Sequence, residues 1–184
     1  GDIADCLMTD APAWLLDRYG ALIVAGELRG GAEIKDKLEA YVRNGGQLVI
    51  TAGNLCKLPG GLLGVTSEPT ATRVEAGTAV MINGETVVEE QPFELLPIHA
   101  PAEGKSLGKC GERDVAVELA AGQGSVVVLA SPFGVPVQAA AHATEKDAID
   151  NPLAKPYPML KHVRAVVDAK LKQQSLFEAG EGLS

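Results

Sequence analysis

The residues best suited to chemistry stand just after two predicted strands. Glu27 follows the apolar run ALIVA at 21–25, and Asn54 and Cys56 follow the run QLVIT at 47–51. A predicted helix joins the two runs, so the strands should be parallel neighbours whose carboxyl ends meet at one edge of a sheet. A thiol, a carboxylate and an amide at such an edge could support nucleophilic catalysis or bind a small ligand.

Cys56 is the candidate nucleophile of this chain. The adjacent Lys57 could favour the thiolate form of its side chain. A catalytic thiol also needs a general base within hydrogen-bond reach and a third group that orients the base. The histidines His99, His142 and His162 belong to no motif that supplies one. We therefore favour a structural thiol and no catalytic residue, with a hydrolase or amidotransferase that uses Cys56 as the alternative.

The pattern of histidines and cysteines predicts neither a metal site nor a cofactor. The histidines show no HxH or HxxxH pairing of the kind that binds zinc. Cys6, Cys56 and Cys110 are odd in number and form no CxxC pair, which argues against a disulfide framework.

A third possibility is a module that binds a small molecule or glycan in the strand-end cleft. Glu27, Asn54 and Phe133 would line that cleft. Aromatic residues make up only 4% of the chain, which weighs against a stacking platform for sugars or bases. The net charge of -8 disfavours nucleic acid and anionic membrane surfaces as partners. No apolar run approaches the roughly 20 residues of a membrane span.

Hydrophobic periodicity places the elements that would position these residues. The predicted crossover helix carries Ile34, Leu38, Tyr41 and Val42 on one face and ends at Asn44-Gly45-Gly46. Before it, we predict a strand over Ile3–Met8 and a helix over Ala13–Tyr19, with the Trp14 ring packed on the sheet.

The remaining chain is predicted to be rich in strands. Asn83-Gly84 between two alternating runs is a strong hairpin signal. The predicted segments are a hairpin over Thr78–Glu89, an extended stretch over Pro92–Ile98, a loop over Ala100–Arg113, a second hairpin of Val115–Leu119 with Ser125–Ala130, and helices over Val137–Ile149 and Met159–Gln174.

This order predicts an α/β fold, a flavodoxin-like three-layer sandwich with a mixed, mainly parallel sheet and added hairpins. Residues 1–176 would form one domain with a hairpin insertion at about 66–114, and 177–184 would be a linker to a following domain. Because the chain begins without methionine and ends abruptly, we expect a fragment of a longer protein. Its compartment is left undetermined.

Three segments carry a family resemblance: ALIVAGE, YVRNGGQLVIT and GQGSVVVLASPFG. They resemble the class I glutamine amidotransferase-like fold, and more closely the trimerisation domain of bacterial β-galactosidases, over roughly residues 3–135. Active amidotransferases imply a nucleophilic cysteine at a strand-to-helix elbow, in a G-x-C-x-G setting, with a late histidine and glutamate. Here Gly53 or Asn54 stands at that elbow, Cys56 follows two or three positions later, and Ser131-Pro132-Phe133 lacks the His-x-Glu pair.

Because the cysteine, histidine and glutamate of active amidotransferases are displaced or missing, the resemblance implies a non-catalytic accessory domain. Its parent would be a larger, carbohydrate-active or otherwise multidomain protein. The domain would serve packing, oligomerisation or the shaping of a neighbouring active site. Its expected partners are neighbouring domains of the same polypeptide, with a homo-oligomer as a further option.

Overall fold

A computed structural model of the chain describes residues 7, 9–24, 26–29, 31–89 and 92–132. The helices in these ranges are α1 (Ala13–Leu16), α2 (Ala32–Arg43) and α3 (Ala52–Leu55). The strands are β1 (Ala21–Val24), β2 (Gln47–Thr51), β3 (Thr66–Ser67), β4 (Thr72–Val74), β5 (Ala79–Ile82), β6 (Glu85–Val88), β7 (Phe93–Leu95), β8 (Ile98–His99), β9 (Lys105–Cys110), β10 (Arg113–Ala121) and β11 (Gly124–Leu129). The predicted helices over 137–149 and 159–174, and most of the predicted strand over 3–8, lie outside the described residues.

The strand–helix–strand unit predicted around α2 is confirmed. β1 and β2 pair in parallel, with Ala21 opposite Gln47 and Val24 opposite Ile50. The apolar stripe of α2 is buried, as its helical spacing indicated. The carboxyl ends of β1 and β2 therefore lie side by side, which is the arrangement on which the candidate site depends.

The main sheet has seven strands in the order β1-β2-β11-β10-β9-β5-β6. β2 pairs in parallel with β1 and β11, and the other four neighbouring pairs are antiparallel. Two small antiparallel sheets, β3–β8 and β4–β7, accompany it.

The predicted flavodoxin-like, mainly parallel three-layer sandwich is wrong. The described chain forms a curled mixed sheet with few helices. The cause lies in residues 66–129, which run back and forth as antiparallel strands joined by short turns. Antiparallel neighbours need only tight turns, whereas each parallel neighbour needs a long crossover, usually a helix.

The two faces of the sheet are covered by different structures. Leu48, Ile50 and Val126 pack in one buried cluster with the apolar face of α2. Val49 and Val127 point to the opposite side, where a second cluster includes Phe93 and Leu95 of β7 and Val74 of β4. In the described part of the chain, a strand pair thus takes the place that the sandwich prediction gave to helices.

Two local predictions also need correction. The segment predicted as a loop, Ala100–Arg113, contains β9, whose polar sequence KSLGKC hid its strand character. The Trp14 ring does not pack on the sheet, because Trp14 is 61% exposed and its ring lies 5.4 Å below the Arg18 guanidinium carbon.

Both predicted hairpins are confirmed. Thr86 faces Met81 across the first, where Asn83 and Gly84 form the turn at positive φ. Strands β10 and β11 form the second, and β7 and β8 lie in the stretch predicted to be extended. No helix within the described ranges combines the length and apolar character that crossing a membrane requires.

Candidate functional site

The elbow between β2 and α3 is the centre of the candidate site. Thr51 ends β2 and is also the residue that caps the N-terminus of α3. Its Oγ1 accepts a hydrogen bond from the Asn54 backbone N–H at 3.4 Å and donates one to the Pro132 carbonyl at 2.9 Å. One hydroxyl therefore starts the helical turn and ties it to the segment that follows β11.

The backbone of Ser131 and Pro132, which follow β11, lies directly against Gly53. A Cβ at position 53 would lie 1.8 Å from the Pro132 carbonyl oxygen, so no side chain fits. The Gly53 N–H donates to the Ser131 carbonyl at 3.3 Å. Position 53 is one of the two positions that the resemblance assigned to a nucleophile, and here backbone fills the space that a nucleophile would need.

Asn54, the other position, is completely buried. Its Oδ1 accepts a hydrogen bond from the Leu28 backbone N–H, and its Nδ2 donates one to the Gly26 carbonyl, both at 2.7 Å. The amide thus attaches the loop after β1 to the elbow after β2. This is a structural role that the sequence prediction, which placed Asn54 in a ligand cleft, did not foresee.

Glu27 lies on the same loop and faces Lys57. The Lys57 Nζ is 2.9 Å from Glu27 Oε1, and both side chains are exposed. The hydrogen bond from Lys57 lowers the pKa of the Glu27 carboxyl below its ordinary value, and the charges of Lys57 and Arg29 add to this effect. Lys57, which is adjacent to Cys56 in sequence and could favour its thiolate form, is thus engaged with the Glu27 carboxylate.

Cys56 is half-buried and packs against the cluster on the α2 side of the sheet. The one histidine among the described residues is His99, and its Nε2 lies 3.1 Å from the Glu68 carboxylate. His142, His162 and Phe133 lie outside the described residues. The structure therefore brings Glu27, Asn54 and Cys56 to one edge, as predicted, without supplying a base for the thiol within the part it describes.

Ser131 is a feature of this edge that sequence reasoning missed. It is buried, and its hydroxyl has no hydrogen-bond partner among the described residues. A serine in a Ser-Pro turn carries no sequence signal of such burial. Among the described residues, no three His, Cys, Asp or Glu side chains come together in a way that could hold a metal ion.

At the strand-end edge formed by β1 and β2, the described polar side chains make contacts that stabilise the structure. The polar groups of Thr51 and Asn54 bind backbone, and Glu27 and Lys57 neutralise one another. This arrangement holds two loops on a strand end and positions no described side chain to attack a substrate.

No protein-family model matches the sequence, and neither does any curated protein sequence. Solved structures do resemble it. A cytoplasmic protein from Salmonella typhimurium has a TM-score of 0.51 at 15% identity, with 79% of this chain and 72% of that chain covered. At that identity the likeness concerns the fold alone.

The structural neighbours also include β-galactosidases of glycoside hydrolase family 42. The β-galactosidase from Bacillus circulans sp. alkalophilus has a TM-score of 0.47 at 16% identity, with 63% of this chain and 20% of that chain covered. A β-galactosidase from Rahnella sp. has a TM-score of 0.47 at 17% identity, with 67% and 21% covered. This chain thus spans about a fifth of those enzymes. None of these names supports the amidotransferase-like part of the sequence resemblance.

Proposed function

We propose that this chain is a non-catalytic accessory domain of a larger protein, and that it serves packing, oligomerisation or the shaping of a neighbouring active site. The observation that carries the proposal is the elbow after β2. Backbone fills the space at Gly53, and the Asn54 amide is buried and bonded to the loop at Gly26 and Leu28. A nucleophile elbow needs the opposite arrangement, with an exposed side chain next to free backbone donors.

We further propose that the parent protein acts on carbohydrates. This part of the proposal is supported by the sequence patterns YVRNGGQLVIT and GQGSVVVLASPFG, which resemble those of the β-galactosidase trimerisation domain. Under this proposal, any activity on carbohydrates belongs to another domain of the parent rather than to the described residues.

Assays of the 184-residue chain with and without a Cys56→Ala substitution test the absence of catalysis. The panel should hold chromogenic glycosides, glutamine and activated esters, because these cover the parent activity and the thiol-dependent alternative. We expect no turnover above buffer for either protein. Turnover that disappears in Cys56→Ala would overturn the proposal in favour of a thiol enzyme.

The gene itself tests the accessory role. We expect the reading frame to continue into a domain that carries the two catalytic carboxylates of a glycoside hydrolase. A reading frame that encodes this chain alone would contradict the proposal.

A further inference from the structure

Asn83 and Gly84 form the turn that joins β5 to β6, and both are exposed. Their φ angles, +50° and +83°, are those of a type I′ turn, whose hydrogen bonds do not use the N–H of the second turn residue. Within the described residues, neither the Asn83 side-chain amide nor the Gly84 N–H has a hydrogen-bond partner. A Cβ at position 84 would meet nothing within 4 Å. A backbone nitrogen and an amide carbon that it can attack therefore belong to adjacent residues of an open turn.

These two groups can react with one another. When base removes the Gly84 amide proton, the nitrogen attacks Cγ of Asn83 and forms a new C–N bond. The bond from Cγ to the side-chain nitrogen breaks, and that nitrogen takes up a proton and leaves as ammonia. Water then adds to either carbonyl of the resulting cyclic imide and opens the ring. One opening yields aspartate, and the other yields isoaspartate, in which the main chain runs through the former side-chain methylene.

The chain itself supplies a comparison, because it has asparagines at positions 44, 54, 83 and 151. Asn54 is completely buried, and both polar atoms of its amide are bonded to backbone. Asn151 lies outside the described residues, and it precedes Pro152, whose nitrogen carries no hydrogen and cannot attack. Asn44 precedes a glycine, so it has the same reactive pair as Asn83. The sequence alone therefore predicts two equivalent sites.

The structure distinguishes these two sites. The Gly45 N–H donates a hydrogen bond to the Val42 carbonyl at 3.1 Å, and the Asn44 N–H donates one to the Ala40 carbonyl at 3.0 Å. Both bonds close the last turn of α2. Attack requires rotation about the bond between Cα and the carbonyl carbon of the asparagine, which moves the glycine nitrogen towards Cγ. At Asn44 this rotation breaks the end of a helix, whereas at Asn83 it opens an exposed turn, and local opening of that kind costs less free energy.

We propose that Asn83 is a site of spontaneous deamidation and that the fold protects Asn44 from the same reaction. Each event at Asn83 adds one negative charge to the net charge of -8. The modification is independent of the accessory role proposed above, since water and base are its only co-reactants.

The isoaspartate product should change the hairpin as well as its charge. Met81 lies opposite Thr86 and Ile82 opposite Glu85, across a turn of two residues. An additional backbone carbon in that turn does not fit this register. β5 also pairs with β9, whereas β6 forms the edge of the sheet and pairs only with β5 among the described strands. Isoaspartate at position 83 is therefore expected to release β6 and leave β5 in place.

Incubation of the protein at about pH 9 and about 37 °C, followed by proteolysis and mass spectrometry, measures the reaction at each asparagine. Deamidation raises the mass of a peptide by about 1 Da, and fragmentation at the modified residue distinguishes isoaspartate from aspartate. We expect Asn83 to react at least about tenfold faster than Asn44, with both products formed. In urea, where the fold is lost, the two rates should agree within about threefold, because the two Asn-Gly pairs are then equivalent.

Three results would overturn the proposal. One is an equal or faster reaction at Asn44 in the folded protein. The second is an Asn83 that stays intact in the folded protein while it reacts in urea. The third is a product that contains aspartate without isoaspartate, since direct hydrolysis of the side chain gives aspartate alone. All three are read from the original sequence, so no variant has to fold.

Two variants separate the reaction from its consequence. Asn83→Gln keeps an amide but requires a larger and slower ring closure, so the hairpin should stay unmodified while Asn44 reacts at its original rate. Freshly purified Asn83→Asp carries the added charge without the added backbone carbon, and it should keep the hydrogen-exchange protection of β6 within about threefold. Protein in which isoaspartate has formed should lose that protection by about tenfold or more. Equal protection in both would contradict the release of β6.

Discussion

At the scale of single residues, Asn54 determines the structure of the elbow. Its buried amide makes two 2.7 Å hydrogen bonds to backbone groups that lie 26 and 28 positions earlier. Removing it leaves the Leu28 N–H and the Gly26 carbonyl without a protein partner. Unsatisfied buried groups cost about 1–3 kcal/mol each.

We therefore expect Asn54→Ala to lower the free energy of unfolding by about 3 kcal/mol, measured by urea denaturation. The control is Asn44→Ala, because Asn44 is exposed at the end of α2, and its effect should stay within about 1 kcal/mol. Equal losses from both substitutions would contradict the structural role of Asn54.

Gly53 allows a sharper test at the same scale. A methyl group there collides with the Pro132 carbonyl, so Gly53→Ala should destabilise the protein by about 3 kcal/mol, seen as a lower Tm. Gly31→Ala is the matched control, since nothing lies within 4 Å of the added Cβ and φ is not positive. Tolerance of Gly53→Ala would show that the segment after β11 does not cross the elbow.

At the scale of elements, the turn between β5 and β6 sets the register of the hairpin. Gly84 adopts a φ of +83°, which strains any residue with a side chain. Gly84→Ala should therefore cost about 1 kcal/mol, measured by chemical denaturation. Asn83→Gly, which keeps the positive φ of its position without strain, should change the stability by only a few tenths of a kcal/mol.

The loop after β1 and the end of α3 are linked by Glu27 and Lys57. Because Lys57 lowers the Glu27 pKa, the ion pair contributes stability above the unfolded-state pKa of that carboxyl, and this contribution is lost as the pH falls through the folded-state pKa. Lys57→Met should move the Glu27 pKa upwards, towards 4.5, in a carbon-detected NMR titration.

Lys37→Met is the control for this titration. Lys37 lowers the pKa of Glu33 through the same kind of hydrogen bond, at 2.9 Å, on α2. The substitution should raise the pKa of Glu33 and leave that of Glu27 unchanged. A Glu27 pKa that does not respond to Lys57→Met would disprove the link.

At the scale of the whole molecule, the sheet is buried on both sides at its centre. Val126 and Val127 are consecutive in β11, completely buried, and belong to opposite clusters. Val126→Ala and Val127→Ala should each cost about 2 kcal/mol in urea denaturation, from lost apolar burial and the cavity left behind. A small effect of Val127→Ala alone would show that the face covered by β4 and β7 is open to solvent.

Sequence patterns correctly predicted the helices and turns whose geometry depends on residues close together in the sequence. The apolar spacing of α2 and the Asn83-Gly84 turn specify short-range geometry, and both were predicted correctly. β9 was missed because its polar residues conceal the alternation, and the strand is stabilised by neighbours on both sides. Glu27, Asn54 and Cys56 were correctly placed at one edge, since a parallel strand pair brings its carboxyl ends together.

Short-range sequence patterns were sufficient to predict the parallel β1–β2 pair, its covering helix and two hairpins, and position 53 carries glycine, which has no attacking group. The curled, mainly antiparallel sheet, the strand pair that covers its second face and the hydrogen bonds from Asn54 to backbone were found only in the folded chain. The two groups of features differ in the range of the interactions that form them. Turns and helix faces depend on residues a few positions apart, whereas sheet order, face coverage and buried hydrogen bonds depend on residues tens of positions apart, which no local pattern records.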